Sequence, residues 1–325
     1  MASHVLLLAT KDTIAYTRRD DRLAIASGTD LLDGVPADQL AADVTVEDVT
    51  AEPSWDMSPA TMLALARRVR SAVLDDGFDG VVVTHGTDTL EETAFLADLL
   101  AGPAASRGGI VFTGAMRRLD ELSADGPRNL AASIAAAADP RLRQAGAVVC
   151  VNDELHAARW VTKVDATGVA AFSSAPFPPL GRVVAGRVET LGTAPPRPPA
   201  PQGEPESDVA LIKTYPGIDA ALLTAAVDAG ARGVVLEGTG MANVPVSLFT
   251  AISELTEWGI PVVVASRCRT RDVALEDMRS GTYGLAAGVG AIGARGLAAA
   301  KARIALMVAL GTGSAEGVRA WFDGL

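Results

Sequence analysis

Hydroxyl and carboxylate side chains crowd three short segments of this chain, each placed directly after an apolar run. Thr10 and Thr13 flank Lys11 and Asp12, Ser54 and Asp56 flank Trp55, and Thr84–Ala94 reads THGTDTLEETA. Threonine is a weak nucleophile until a neighbouring group takes its proton. The chain has three histidines, His4, His85 and His156, so the candidate activators are Asp88 and a lysine. The chemistry this suggests is catalysis by an activated hydroxyl. Spacing alone leaves other readings open. Thr89 with Glu92, or Asp88 with Glu91, has the pattern of a capping box at a helix start. Thr10–Thr13 also reads as a strand-to-loop turn, and Ser54 as a turn residue. Neither the first segment nor the third has the Gly-rich pattern of a dinucleotide or P-loop site.

Composition narrows the alternatives. The 325 residues fit one large domain and a smaller one. With 49% apolar and 21% charged residues the chain can bury a sizeable core. The net charge of −11 provides no basic excess, so nucleic acid is not an expected partner. Two cysteines and three histidines argue against a disulfide scaffold, a zinc site or a redox motif, so no metal and no cofactor is expected. No apolar run approaches the roughly 18 residues of a membrane span. The first ten residues lack a basic start and a cleavage site, which points to the cytoplasm and no membrane partner.

The elements that must position these side chains alternate as βα units. Strands are expected at Val5–Ala9, Val44–Val49, Gly80–Thr84, Gly109–Thr113 and Ala147–Val151, and helices at Pro59–Leu74, Leu90–Leu100 and Pro127–Ala138. Further on, strands are expected at Val209–Lys213, Gly233–Glu237 and Pro261–Ala265, with helices at Asp219–Ala229, Pro245–Glu257 and Leu297–Leu310. Continuous apolar strands between helices imply parallel sheets covered on both faces. Between Thr193 and Ser207 stand six prolines, the composition of an extended linker. The expected organisation is an N-terminal α/β domain over residues 1–190, a Pro-rich linker over 191–208 and a C-terminal α/β domain over 209–325. Ligands of open α/β sheets sit beyond the carboxyl ends of the strands, which is where the three polar segments fall.

Taken together, TKDTIA (Thr10–Ala15), THGTDTLEETA (Thr84–Ala94), GAMRRLDELSADGPRNL (Gly114–Leu130) and VNDELHAARWVTK (Val151–Lys163) resemble the bacterial-type L-asparaginase and glutaminase-asparaginase family in order and spacing. The resemblance runs from about Val5 to about Leu310. It implies a large flavodoxin-like N-terminal domain, a smaller parallel α/β C-terminal domain and hydrolysis of an amide such as L-asparagine. It implies Thr13 as nucleophile, with Thr87 opposite and coupled to Lys163 and Asp88. Backbone N–H groups near Gly86 and Thr87 would hold the oxyanion. Asp88 would also meet the substrate's α-ammonium and Ser54 its α-carboxylate. Asn243 would reach a neighbouring subunit's site in a homo-oligomer, a dimer or tetramer. His85 reads as structural, and Arg117 with Asp125 as a buried support pair.

The chain departs from the family pattern in places. Lys11 and Asp12 stand where the family has two glycines, so Asp12 would repel a substrate carboxylate or act as an extra base. Trp55 replaces a glutamine between Ser54 and Asp56, which fits an altered or bulkier pocket. Tyr16 is the nearest candidate for the family's loop tyrosine. Glu276 or Asp277 is the candidate acidic residue from the second domain. Three functions therefore stand: asparagine hydrolysis, hydrolysis of another or bulkier amide, and amino-acid binding with weak catalysis.

Overall fold

The first apolar run forms β1 (His4–Ala9), in which every residue after His4 is buried. The structure is a computed structural model describing residues 3–20, 22–190, 192–269 and 284–325. It divides into two units, Met1–Pro195 and Pro196–Leu325.

In the first unit β1 is followed by a hairpin of β2 (Tyr16–Arg19) and β3 (Arg22–Ile25), then α1 (Gly28–Asp33) and β4 (Asp43–Asp48). Next come α2 (Pro59–Leu74), β5 (Gly80–Thr84), α3 (Leu90–Leu100), the short α4 (Ala104–Arg107) and β6 (Gly109–Thr113). The unit continues through α5 (Gly126–Ala138), β7 (Ala147–Val151), β8 (Glu154–Ala157), β9 (Thr162–Lys163), β10 (Phe172–Ser173), β11 (Gly181–Val184) and β12 (Arg187–Thr190). The main sheet has the order β12-β11-β8-β7-β6-β5-β1-β4. The run from β4 to β7 is parallel and the rest antiparallel.

The sheet is therefore mixed, where the apolar runs predicted parallel pairing throughout. The reversal is made at Asn152 and Asp153, whose φ values of 51° and 65° are those of a tight hairpin turn between β7 and β8. Asparagine and aspartate adopt the left-handed region more readily than other non-glycine residues.

Strands β5, β6 and β7 are buried at every residue, which is why their sequences are apolar without alternation. Helix α2 opens with Ser58 capping Thr61 N–H and Pro59 at its first position, as its sequence predicts. Helix α5 packs its alanines on Val5, Leu7, Val82, Val111 and Val148. The approach is close: a Cβ at Gly80 would sit 2.3 Å from the carbonyl oxygen of Ala137. Backbone cannot give way there as a side chain tip can. We expect Gly80→Ala to cost about 2 kcal/mol, the usual range for overpacking a core, read as a lower urea midpoint.

In the second unit β13 (Val209–Lys213), α6 (Ala221–Asp228), β14 (Gly233–Gly238), α7 (Phe249–Glu257), β15 (Val262–Ser266) and β16 (Ile292–Gly293) precede α8 (Ala299–Leu310) and α9 (Ala315–Asp323). Strands β13 to β16 form a parallel four-stranded sheet in sequence order. The predicted helix at Pro245 starts instead as a 3-10 turn over Val246–Leu248, and the α-helix begins at Phe249. The Pro-rich stretch carries neither strand nor helix. It is nevertheless tied down: Trp321 Nε1 donates to Pro199 O, Gly203 N–H to Gly311 O and Glu206 N–H to Met307 O.

Candidate active site

The ends of β1 and β5 are laced together by two threonines. Thr10 N–H donates to Thr84 Oγ1 at 3.0 Å and Thr10 Oγ1 donates to Thr84 O at 2.6 Å. This fixes where the loops after the two strands begin. In the first loop, Thr13–Ala15 form a 3-10 turn capped by Asp12. Asp12 is buried and its carboxylate turns inward. Oδ1 accepts Thr13 N–H at 2.7 Å and lies 3.3 Å from Thr13 Oγ1, while Oδ2 accepts Ser54 N–H at 2.8 Å.

Ser54 belongs to the loop after β4 and opens a second 3-10 turn, Ser54–Asp56. It is buried and receives two bonds from the loop after β5: Asp88 N–H reaches its Oγ at 3.4 Å, and Thr89 Oγ1 donates to its carbonyl at 2.6 Å. Gly86 makes this meeting possible. A Cβ there would lie 1.9 Å from Asp12 Oδ2 and 2.2 Å from Ser54 Oγ.

Lys163 approaches from β9, which pairs with β10 through Phe172. Just upstream, Trp160 stacks on Phe177 with ring centroids 4.4 Å apart and 7° between planes. Lys163 Nζ donates to Thr87 Oγ1 at 2.8 Å and to Asp88 Oδ1 at 2.7 Å, and its backbone N–H donates to Glu91 Oε2 at 2.8 Å. Thr87 is buried, whereas the Asp88 side chain is half exposed. Thr13, Asp12, Ser54, Asp88, Lys163 and Thr87 thus form one hydrogen-bonded chain across three loops and strand β9. A hydroxyl held by an ammonium that is itself paired with a carboxylate, as Thr87 is, is arranged for proton transfer.

Titratable groups around this chain are set by their surroundings. Burial, then the negative charge of Asp12, holds the Tyr16 phenol above its ordinary value, so Tyr16 keeps its proton near neutral pH. Cys150 lies in the core of β7, where burial pushes its thiol up to about 12. It is no thiolate nucleophile near neutral pH.

His85 is fully buried, with Nδ1 2.7 Å from Gly86 O and Nε2 2.9 Å from Thr93 Oγ1. Burial lowers its pKa, so the unfolded chain binds this proton more readily than the folded one. Stability is then expected to fall as pH drops below about 6.5, the ordinary histidine value. Urea midpoints across that range check it: His85→Gln flattens the slope, and an equal slope in the variant removes His85 as the cause.

The sequence of the whole chain places it among known proteins. The description "Asparaginase, N-terminal" matches residues 4–196, and "Glutaminase/Asparaginase C-terminal domain" matches residues 208–322. The chain belongs to the asparaginase family. Among its relatives, L-asparaginase 2 of Escherichia coli (strain K12) is 32% identical over 300 residues, 86% of this chain and 83% of that one. L-asparaginase of Bacillus licheniformis is 31% identical over 316 residues, 95% and 96% of the two chains. The crystal structure of a probable cytoplasmic L-asparaginase from Campylobacter jejuni superposes with a TM-score of 0.86 at 30% identity, covering 99% of this chain and 100% of that one. This asparaginase-family chain is an amidohydrolase, and its mixed α/β fold is that of its structural neighbour.

Against the sequence-based expectations, the structure brings Thr87, Asp88 and Lys163 into direct contact and joins Thr13 and Ser54 to them. Tyr16 ends the 3-10 turn that Thr13 begins, its N–H bonded to Asp12 O. Trp55 is 71% exposed, so its ring lies outward of buried Ser54. Asn243 sits in the second unit, where it pairs with Thr239 through two backbone bonds. Glu276 and Asp277 lie outside the described residues.

The predicted capping box does not form, because Thr89 spends its hydroxyl on Ser54 O, Asp88 binds Lys163 Nζ and Glu91 binds the Lys163 backbone. The predicted Arg117–Asp125 pair is also different. Asp125 accepts the backbone N–H groups of Met116 and Arg117, while the Arg117 guanidinium donates to Ser123 O. Asn129, not singled out by sequence, is buried and bridges the loops, bonding Gly114 O and receiving Asn152 N–H. Its only signal was its place in the segment Gly114–Leu130.

Among the described residues no group of three or more His, Cys, Asp and Glu side chains is placed to hold a metal ion, and no helix is long and apolar enough to cross a membrane.

Proposed function

We propose that this amidohydrolase converts L-asparagine to L-aspartate and ammonia, with Thr13 as the nucleophile. The observation that carries the reading is the contact of Lys163 Nζ with both Thr87 Oγ1 and Asp88 Oδ1, joined through Ser54 and Asp12 to Thr13. Thr13 Oγ adds to the amide carbonyl, its proton passes to the amide nitrogen, the C–N bond breaks and ammonia leaves. Water then cleaves the resulting ester. In that second step Thr87 Oγ1 takes a proton from the water and passes its own to Nζ, Nζ passes one to Asp88, and a proton returns to Thr13 Oγ as the ester C–O bond breaks. Backbone N–H groups near Gly86 and Thr87 hold the developing oxyanion. Tyr16, protonated beside the nucleophile, supplies a further donor.

Ser54, Trp55 and Asp88 bind the substrate in this reading, and Asn243 contributes to a site completed in a homo-oligomer, a dimer or tetramer. The working compartment is the cytoplasm, in keeping with the name of the Campylobacter jejuni protein.

A second reading is favoured by Trp55. Its exposed ring next to buried Ser54 offers a surface for a bulkier amide. Ammonia release by the full chain, measured with L-asparagine, L-glutamine and larger amides, separates the readings. Turnover of L-asparagine is the expected result. Turnover of larger amides alone selects the second reading. Binding of L-asparagine with no turnover of any amide would leave a catalytically weak amino-acid binder and overturn both.

A further inference from the structure

Asp12 places a buried carboxylate between the loops that carry Thr13 and Ser54. It is only 6% exposed, and its two oxygens take the N–H groups of Thr13 and Ser54, each the first residue of a 3-10 turn aimed at the site. A backbone N–H bonded to a carboxylate makes a strong charge-assisted hydrogen bond and is not free for a second anion. Here both N–H groups are occupied from within, in a space that exists because residue 86 has no Cβ.

The surrounding charge acts the same way. Lys163 Nζ already donates to Asp88 and Thr87, Glu91 accepts the Lys163 backbone N–H, and Asp12 stands on the far side of Ser54, so three carboxylates join one network with one ammonium. Asp56 and Lys11 are both exposed to solvent. An arriving carboxylate therefore finds these two backbone donors taken and a net negative surrounding. A neutral or positively charged amide meets neither obstacle.

We propose that Asp12 determines specificity, by making this site favour amides that carry no carboxylate of their own beside the amide over those that do. The substrate class is a small primary amide bearing an amine or no charge. The inference rests on the reading of this site as amide-hydrolysing. Oδ1 lies closer to Thr13 N than to Thr13 Oγ1, 2.7 against 3.3 Å, so the carboxylate is engaged chiefly as an acceptor of backbone donors.

The test compares L-asparagine with β-alaninamide, which is the same molecule without its α-carboxylate. In the wild-type chain kcat/KM is expected to favour β-alaninamide by about tenfold or more, the scale of one unscreened like charge a few ångströms away. Asp12→Asn removes the charge and keeps the volume and an acceptor. Asp12→Gly removes the side chain. Both are expected to swing the ratio of the two kcat/KM values towards L-asparagine by about tenfold or more, a ratio in which any change common to both amides cancels. Titration with L-aspartate gives a reading independent of turnover, and binding is expected to tighten by a similar factor in Asp12→Asn.

Hydrolysis of both amides with a ratio that moves less than about threefold in Asp12→Asn, and unchanged L-aspartate affinity, overturns the inference and leaves amide hydrolysis standing. No ammonia from either amide or from any other, by folded wild-type protein, overturns the hydrolytic reading and this inference with it.

Discussion

Lys163→Met is expected to lower kcat for ammonia release by on the order of 10² or more while the protein stays folded. Methionine matches much of the lysine chain in volume but has no Nζ. The change deletes the contacts at 2.8 Å to Thr87 Oγ1 and 2.7 Å to Asp88 Oδ1 in one step. Thr87→Ala removes the hydroxyl from the other end and is expected to cost a similar factor. Groups that act as one device lose their function once, so the double variant is expected to be little worse than either single. Steady-state ammonia release with a circular dichroism control measures all three. Near wild-type rates in both single variants would refute the threonine–lysine relay.

Gly86→Ala is expected to reduce kcat/KM by on the order of 10² or more, although it adds one methyl group. Its Cβ would stand 1.9 Å from Asp12 Oδ2, 2.2 Å from Asp12 Cγ and 2.2 Å from Ser54 Oγ. Neither neighbour is a loose chain end. Asp12 is held by two backbone N–H groups and Ser54 is buried. The loops after β1, β4 and β5 must therefore separate, and displacement of catalytic groups by about 1 Å is enough for a loss of this size. Retained activity in a folded Gly86→Ala protein would show that the loops tolerate separation.

The parts of the fold legible in the sequence were those buried on both faces. Gly80–Thr84, Gly109–Thr113 and Ala147–Val151 are strands with the predicted limits, because a fully buried strand leaves a continuous apolar run. The strands from β8 to β12 were not predicted. They are short, and β11 alternates buried and exposed residues over only Gly181–Val184, too brief a period to stand out. The Asn152–Asp153 turn was a usable signal for the first of these reversals.

In the site, spacing suggested hydroxyl chemistry, but the pairing of Thr87 with Lys163 spans 76 positions and no local periodicity encodes it. It entered through the resemblance of whole motifs to a family. The charge at Asp12 was visible and its conflict with a substrate carboxylate was foreseen. Its burial and inward direction were not, since they depend on a void at Gly86 contributed by another loop.

The hydrogen-bonded chain from Thr13 through Asp12, Ser54 and Asp88 to Lys163 and Thr87 has a consequence for engineering. Residues sharing one such network do not contribute independent energies, and coupling between contacting positions commonly reaches 0.5–3 kcal/mol of either sign. The best residue at position 54 then depends on what occupies positions 12 and 88. A search for new substrate scope that improves one position at a time would stall on changes that are harmful singly and useful together. Libraries that vary 12, 54 and 88 jointly reach combinations a stepwise search never samples.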